Sequence, residues 1–173
     1  MTKLRSLVAL LSATFFLSSL VPLSVADAAT STTSTIAAGT NHTCAVVSGG
    51  VQCWGSNGSG QLGDGTIVDK TSPTQIIAAG SGVTAISAGS SHTCAVVSGG
   101  VKCWGSNGSG RLGDGTTVAK RSPTQAIVAG SGVTAISAGG NHTCAVVSGG
   151  VKCWGNNGSG QLGDGTTVAK TSP

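Results

Sequence analysis

The chain has 173 residues, with 29 glycines, 8% charged and 39% hydrophobic side chains. That much glycine excludes a helical bundle, because each Gly inside a helix costs about 1 kcal/mol relative to Ala. The formal net charge of +4 falls to a surplus of three beyond residue 28, with seven Lys or Arg against four Asp, too mild and too scattered for a nucleic-acid-binding face.

In chain order, residues 1–28 have the three parts of a signal peptide. Lys3 and Arg5 form a positive start, Leu7 to Leu20 an apolar stretch, and Ala26-Asp27-Ala28 a small-residue cleavage site before Ala29. The apolar stretch is shorter than the ~20 residues of a membrane-spanning helix. No stop-transfer pattern and no lipid-attachment cysteine follow it. Secretion to an extracellular or periplasmic space is therefore expected, with no membrane insertion after signal cleavage. Residues 29–35 are a Ser/Thr-rich lead-in.

From residue 36 onward the sequence repeats every 50 residues. HTCAVVSGGV starts at His42, His92 and His142, and CWG starts at Cys53, Cys103 and Cys153. A fixed period of this size signals a solenoid, a propeller or an array. Each unit reads as four short strands. In the second unit, Val83 to Ala88 alternates and is rich in β-branched residues. His92 to Val97 follows, and Ser98-Gly99-Gly100 is a tight-turn signal. Val101 to Trp104 returns antiparallel. Asn107 to Thr116 is a glycine-rich loop, and Pro123 to Val128 is a fourth strand entered through proline, where no ladder donor is lost. A parallel β-helix fits less well, because it lacks a recurring tight hairpin. The units run at about 34–80, 82–130 and 132–173, and the third stops where its fourth strand should begin.

The run from Ala88 to Val96, then Gly100 to Asn107, then Gly110 to Thr116 resembles the repeat of the regulator-of-chromosome-condensation family. The likeness covers residues 36–173. It implies an all-β fold, a partial β-propeller of four-stranded antiparallel blades, where seven blades close a ring in the family. Two full blades and most of a third are expected here. An open stack leaves two blade faces bare, and large exposed apolar patches are unusual in soluble monomers. The chain is therefore expected to be a fragment or a truncated product, or to assemble with other copies, and either self-association through those faces or poor solution behaviour is expected.

The cysteines come in three pairs. With the hairpin turn at Val47 to Gly50, Val46 faces Val51 and Cys44 faces Cys53. Facing Cα atoms on antiparallel strands lie ~4.5–5.5 Å apart, within disulfide reach, and export brings an oxidising compartment. Disulfides Cys44–Cys53, Cys94–Cys103 and Cys144–Cys153 are expected, each contributing at most roughly 2.7 kcal/mol by loop closure. Buried free thiols are the alternative. His42-Thr43-Cys44 with Cys53 offers only three zinc ligands at the wrong spacing. His42, His92 and His142 are thus expected to be buried, structural and held by backbone hydrogen bonds, a role the resemblance also implies. Gly-Asp-Gly-Thr carries one Asp per unit, too few carboxylates for calcium, so no metal or cofactor is expected. Trp54, Trp104 and Trp154 are expected in the packing between blades, with sugar-stacking platforms as the alternative. Asn57, Asn107 and Asn157 read as Asn-Gly turns and spell glycosylation sequons, as do Asn41 and Asn141.

No catalytic constellation stands out: there is no Glu, and the same residues recur in every unit. The repeats differ at strand edges and in the long loop, which makes Lys102, Arg111, Lys120, Arg121 and Lys152 the expected partner surface. The resemblance implies a non-enzymatic, protein-binding role through the propeller face, as in secreted relatives that inhibit β-lactamases. It equally brings a nucleotide-exchange role on a Ran-like GTPase, which the export segment opposes. A cell-wall or carbohydrate-binding protein using the tryptophans is a third reading.

Overall fold

The computed structural model describes residues 35–173. The signal peptide and most of the lead-in lie outside the described residues. Eleven strands form three antiparallel sheets. Blade 1 holds β1 (Ile36–Ala38), β2 (His42–Val47), β3 (Gly50–Gly55) and β4 (Lys70–Ile77) in chain order. Blade 2 repeats it with β5 (Val83–Ala88), β6 (His92–Val97), β7 (Gly100–Gly105) and β8 (Lys120–Ile127). Blade 3 has β9 (Val133–Ala138), β10 (His142–Val147) and β11 (Gly150–Gly155). There is no helix among the described residues.

Two expectations are corrected here. The fourth strand begins at Lys70 or Lys120, three residues before the proline. Pro73 and Pro123 therefore sit inside it, which is tolerated because β4 and β8 are sheet edges with N–H groups free of a ladder partner. In blade 3 that strand has already started, since Lys170 bridges Gly155 as Lys70 bridges Gly55 and Lys120 bridges Gly105.

The central hairpin of each blade turns on two residues. Ser48 and Gly49 have φ of 50° and 70°, the left-handed pair of a type I′ turn whose twist matches that of the strands. That turn sets the register, pairing Val46 with Val51, Cys44 with Cys53 and Thr43 with Trp54.

Because side chains alternate across a strand, each blade has two different faces. One carries His92, Cys94 and Val96 with Val101 and Cys103; the other carries Thr93 and Ala95 with Trp104. The disulfide face of each blade packs on the tryptophan face of the next. Cys44, Val46, Val51, Cys53 and Leu62 cluster with Val83, Ile86, Ala95 and Trp104. Cys94, Val96, Val101, Cys103 and Leu112 cluster in the same way with Val133, Ala145 and Trp154. Full burial of one such Val or Leu stabilises the fold by about 1.5–3 kcal/mol, so the core of this protein is the pair of seams between blades.

Candidate functional site: the seams and the outer groove

Disulfides join Cys44 to Cys53, Cys94 to Cys103 and Cys144 to Cys153, each with Cα atoms 4.1 Å apart. The first two are fully buried in the seams, while Cys144 and Cys153 are half-buried. With every thiol oxidised, no thiolate remains beside His42 for a metal ion.

Two of the three histidines, His42 and His92, are buried and bridge blades, whereas His142, expected to be buried like them, is half-buried. Thr93 Oγ1 donates to the Gln61 carbonyl at 2.8 Å, which uses its only proton. It therefore accepts from His42 Nε2–H at 2.9 Å. Blade 2 repeats the relay: His92 Nε2 lies 3.0 Å from Thr143 Oγ1, which donates to the Arg111 carbonyl at 2.9 Å. The expected backbone partners of the imidazole are thus replaced by a threonine hydroxyl of the next blade. The reason is packing. A Cβ at Gly89 would sit 2.4 Å from His92 Cε1, so the ring lies flat on the chain and only its far edge reaches a partner. Nδ1 of both rings is buried without one. Burial pushes both imidazoles below their usual range, His92 to about 3 with help from the charge of Arg111. Both rings are neutral at physiological pH.

Trp104 and Trp154 are fully buried. A Cβ at Gly63 would lie 2.7 Å from Trp104 Cδ1, and one at Gly113 would lie 2.6 Å from Trp154 Nε1. Only glycine admits the indole there. Trp154 Nε1–H also donates to the Arg111 carbonyl at 2.9 Å. Trp54, which no described blade precedes, is only half-buried. The seam is tied at its rim as well: Gly65 N–H donates to the Arg121 carbonyl at 2.8 Å, and Gly115 N–H to the Thr171 carbonyl at 2.9 Å.

The long loop is organised by an asparagine that reads in the sequence as a turn residue and a glycosylation sequon. Asn57 is fully buried. Its Nδ2 faces Asp64 Oδ1 at 3.0 Å and the Val68 carbonyl at 3.1 Å, and its Oδ1 accepts from Leu62 N–H at 3.0 Å. Asn107 and Asn157 do the same. An amide so enclosed has no room for a glycan in the folded protein, whereas Asn41 and Asn141 are exposed. Asp64 also accepts from the Thr66 hydroxyl and amide and pairs with Lys70 at 3.2 Å. Burial alone would raise its pKa; these donors outweigh burial and hold it at about 2. Asp114 and Asp164 are held low by the same partners in their own loops. The missed signal was contrast within the repeat: residues 56, 106 and 156 read Ser, Ser and Asn, while the following Asn does not vary.

The five basic candidates are not brought together. Arg111 is buried, a correction to its placement on the surface: it lies in the second seam, with Nη1 3.4 Å from the Gly140 carbonyl and Nε unpaired. Gln61 is buried at the same position of the first seam; there the backbone carbonyl is what the relay uses, so either side chain fits. Lys120 pairs with Asp114 at 3.4 Å. Arg121 and Lys152 are exposed. Lys102 is half-buried and lines an outer groove of about 370 Å³ together with Ile77, Val97, Val101, Gln125 and Ile127. A second cleft of about 380 Å³ runs past Gly39, Thr40, Gly89, Ser90 and Gly139, walled mostly by backbone.

Stacked four-stranded blades sealed by such relays define a segment of a β-propeller. Two profiles of the regulator of chromosome condensation (RCC1) repeat match, one over residues 48–96 and 98–146, the other over 34–61, 83–111 and 133–161. The chain belongs to the RCC1 repeat family. It is similar to the human protein WBSCR16 (25% identity, TM-score 0.70). It also shares the fold of Prp20p from Saccharomyces cerevisiae (24%, 0.68) and of yeast RCC1 (Prp20) bound to Kap60 (23%, 0.68). In each comparison 80% of this chain is covered, and the chain spans 36–37% of the length of the solved structure. Comparison with curated proteins finds no match.

Proposed function

We propose that this chain is an exported, non-catalytic protein-binding module that engages its partner through the outer groove at Lys102. The observation that carries the binding reading is the groove itself: Ile77, Val97, Val101 and Ile127 line it together with one cation, Lys102, and the polar side chains of Ser81, Ser98 and Gln125. Position 102 also varies between repeats, Gln52, Lys102 and Lys152, so the groove's chemistry is set blade by blade. The solved relatives support a protein partner: the yeast protein is bound to Kap60 in one structure, and its binding to Gsp1p and histones accompanies the other. Three disulfides suit an oxidising compartment, in line with the leader at residues 1–28. They weigh against nucleotide exchange on an intracellular GTPase. Full burial of Trp104 and Trp154 removes two of the three platforms a carbohydrate-binding role would use.

Cross-linking in extracellular fractions tests the reading. A partner captured by the native chain and cross-linked beside Lys102 is lost when Lys102→Glu reverses the charge. Equal capture by Lys102→Glu and the native chain defeats it.

A further inference from the structure

We infer that Arg111 and Ser90 form a binding site for a carboxylate at the wall of the cleft that runs past Gly89 and Gly139, away from the outer groove. The three repeats are almost copies of one another, and two of their few departures meet in space. Arg111 stands where Gln61 and Gln161 stand in the other loops, and Gly140 stands where Thr40 and Ser90 stand. Arg111 Nη1–H donates to the Gly140 carbonyl. Ser90 Oγ–H donates to the same carbonyl at 2.6 Å, so the guanidinium and the hydroxyl are neighbours. Ser90 and Gly140 line the cleft of about 380 Å³, and the guanidinium reaches its wall from the seam behind.

The arginine lacks a counter-charge. It is 8% exposed, its Nε is enclosed without an acceptor, and Nη1 has one long hydrogen bond of 3.4 Å. The glutamines at this position are satisfied inside their own loops. Gln61 accepts from Ser59 N–H at 2.9 Å and donates to Ser56 Oγ, while Gln161 accepts from Ser159 N–H at 2.9 Å and donates to Asn156 Oδ1 at 2.6 Å. A buried charge is costly unless it is paired. Every acidic side chain among the described residues is engaged elsewhere: Asp64, Asp114 and Asp164 pair with Lys70, Lys120 and Lys170, and Asp69 accepts from Asn57 N–H. His92, which feels the Arg111 charge, is neutral. A ligand therefore supplies the negative charge. The planar guanidinium matches the two oxygens of a carboxylate, and one cation balances one monoanion, which favours a carboxylate over a phosphate dianion. A Cβ at Gly140 would meet no atom within 4 Å, so packing does not demand glycine there; the missing side chain keeps the approach to the guanidinium clear.

Titration with sodium acetate tests the site, at an ionic strength held constant with sodium chloride and followed by the backbone amide signals of Ser90 and Gly140 in nuclear magnetic resonance. In the native chain these signals move and saturate. In Arg111→Gln the half-saturation concentration rises about tenfold or more, as for a lost hydrogen bond to a charged group. That variant carries the residue of the other two repeats, so it keeps the fold. Ser90→Ala binds acetate more weakly than the native chain. Replacing acetate by the N-acetyl amide of glutamate separates two sources of the carboxylate: binding at least as tight assigns it to a partner's side chain, and loss of binding assigns it to a small free anion. Signals that do not saturate with acetate overturn the proposal. So does equal affinity in Arg111→Gln, or inorganic phosphate binding more tightly than acetate. Partner capture at Lys102 is read separately and survives any of these failures.

Discussion

Blades 2 and 3 carry nearly the same sequence, yet they are different physical objects. From His92 to Trp104 the side chains of blade 2 are closed on both sides, with the Cys94–Cys103 disulfide, His92 and Val101 buried against blade 3. The same letters from His142 to Trp154 are closed on one side only: Trp154 and Ala145 are buried against blade 2, while Val151, Cys144 and Cys153 meet solvent. Burial here is a property of the neighbour rather than of the residue. A blade is half of two seams, and its second half has meaning only when another blade arrives.

That contrast can be broken most strongly at the tryptophans. Trp104→Ala opens a cavity in a closed seam and should cost about 3–5 kcal/mol. Trp54→Ala, on a half-exposed ring, should cost well under that in the monomer. Urea unfolding followed by circular dichroism compares them, and equal losses would erase the distinction between seam and end.

Acid comes next. His92 is neutral when folded and protonates only near pH 3, while the unfolded chain takes up the proton near 6.5. The unfolded state thus binds more protons between those values, so stability falls as pH drops from about 6.5 toward 3, by a few kcal/mol in all. His92→Gln retains a donor for Thr143 and should flatten that slope. A slope unchanged in the variant would assign the acid sensitivity elsewhere.

The loop hub sharpens the comparison within blade 2. Asn107→Ala strands the Leu112 N–H and should cost about 1–3 kcal/mol, read from the same unfolding curves. A loss near zero would mean that water replaces the amide. Next, graded reduction with mass mapping of alkylated thiols should open Cys144–Cys153 before the two buried bridges, because reagent must reach the sulfur. Simultaneous opening of all three would show that blade 3 is covered in solution. Smallest is Lys120→Ala, which removes a half-exposed partner of Asp114 and should cost under about 1 kcal/mol by thermal melting.

Much of the fold was legible because it is local. Ser-Gly turns need positive φ, and a two-residue turn dictates which cysteine faces which. The 50-residue period announced blades, and β-branched alternation announced strands. Strand edges at the prolines were misjudged, since whether Pro123 starts a strand or sits within it depends on which side of the sheet is free. Arg111 looked like a surface cation by charge alone. Its place in the seam follows from the next blade lying over it, and nothing near it in the chain says so.

The sequence by itself determined three antiparallel units, their hairpin register and their disulfide partners, because each rests on contacts within a single repeat of the chain. Only the tertiary structure decided what those units do to each other: that histidine reaches a threonine about fifty residues away, that an asparagine holds the loop, and that identical valines are sealed in two blades and bare in the third. Those outcomes depend on the stacking of one sheet face on another, and stacking is a long-range packing choice that period and composition do not encode.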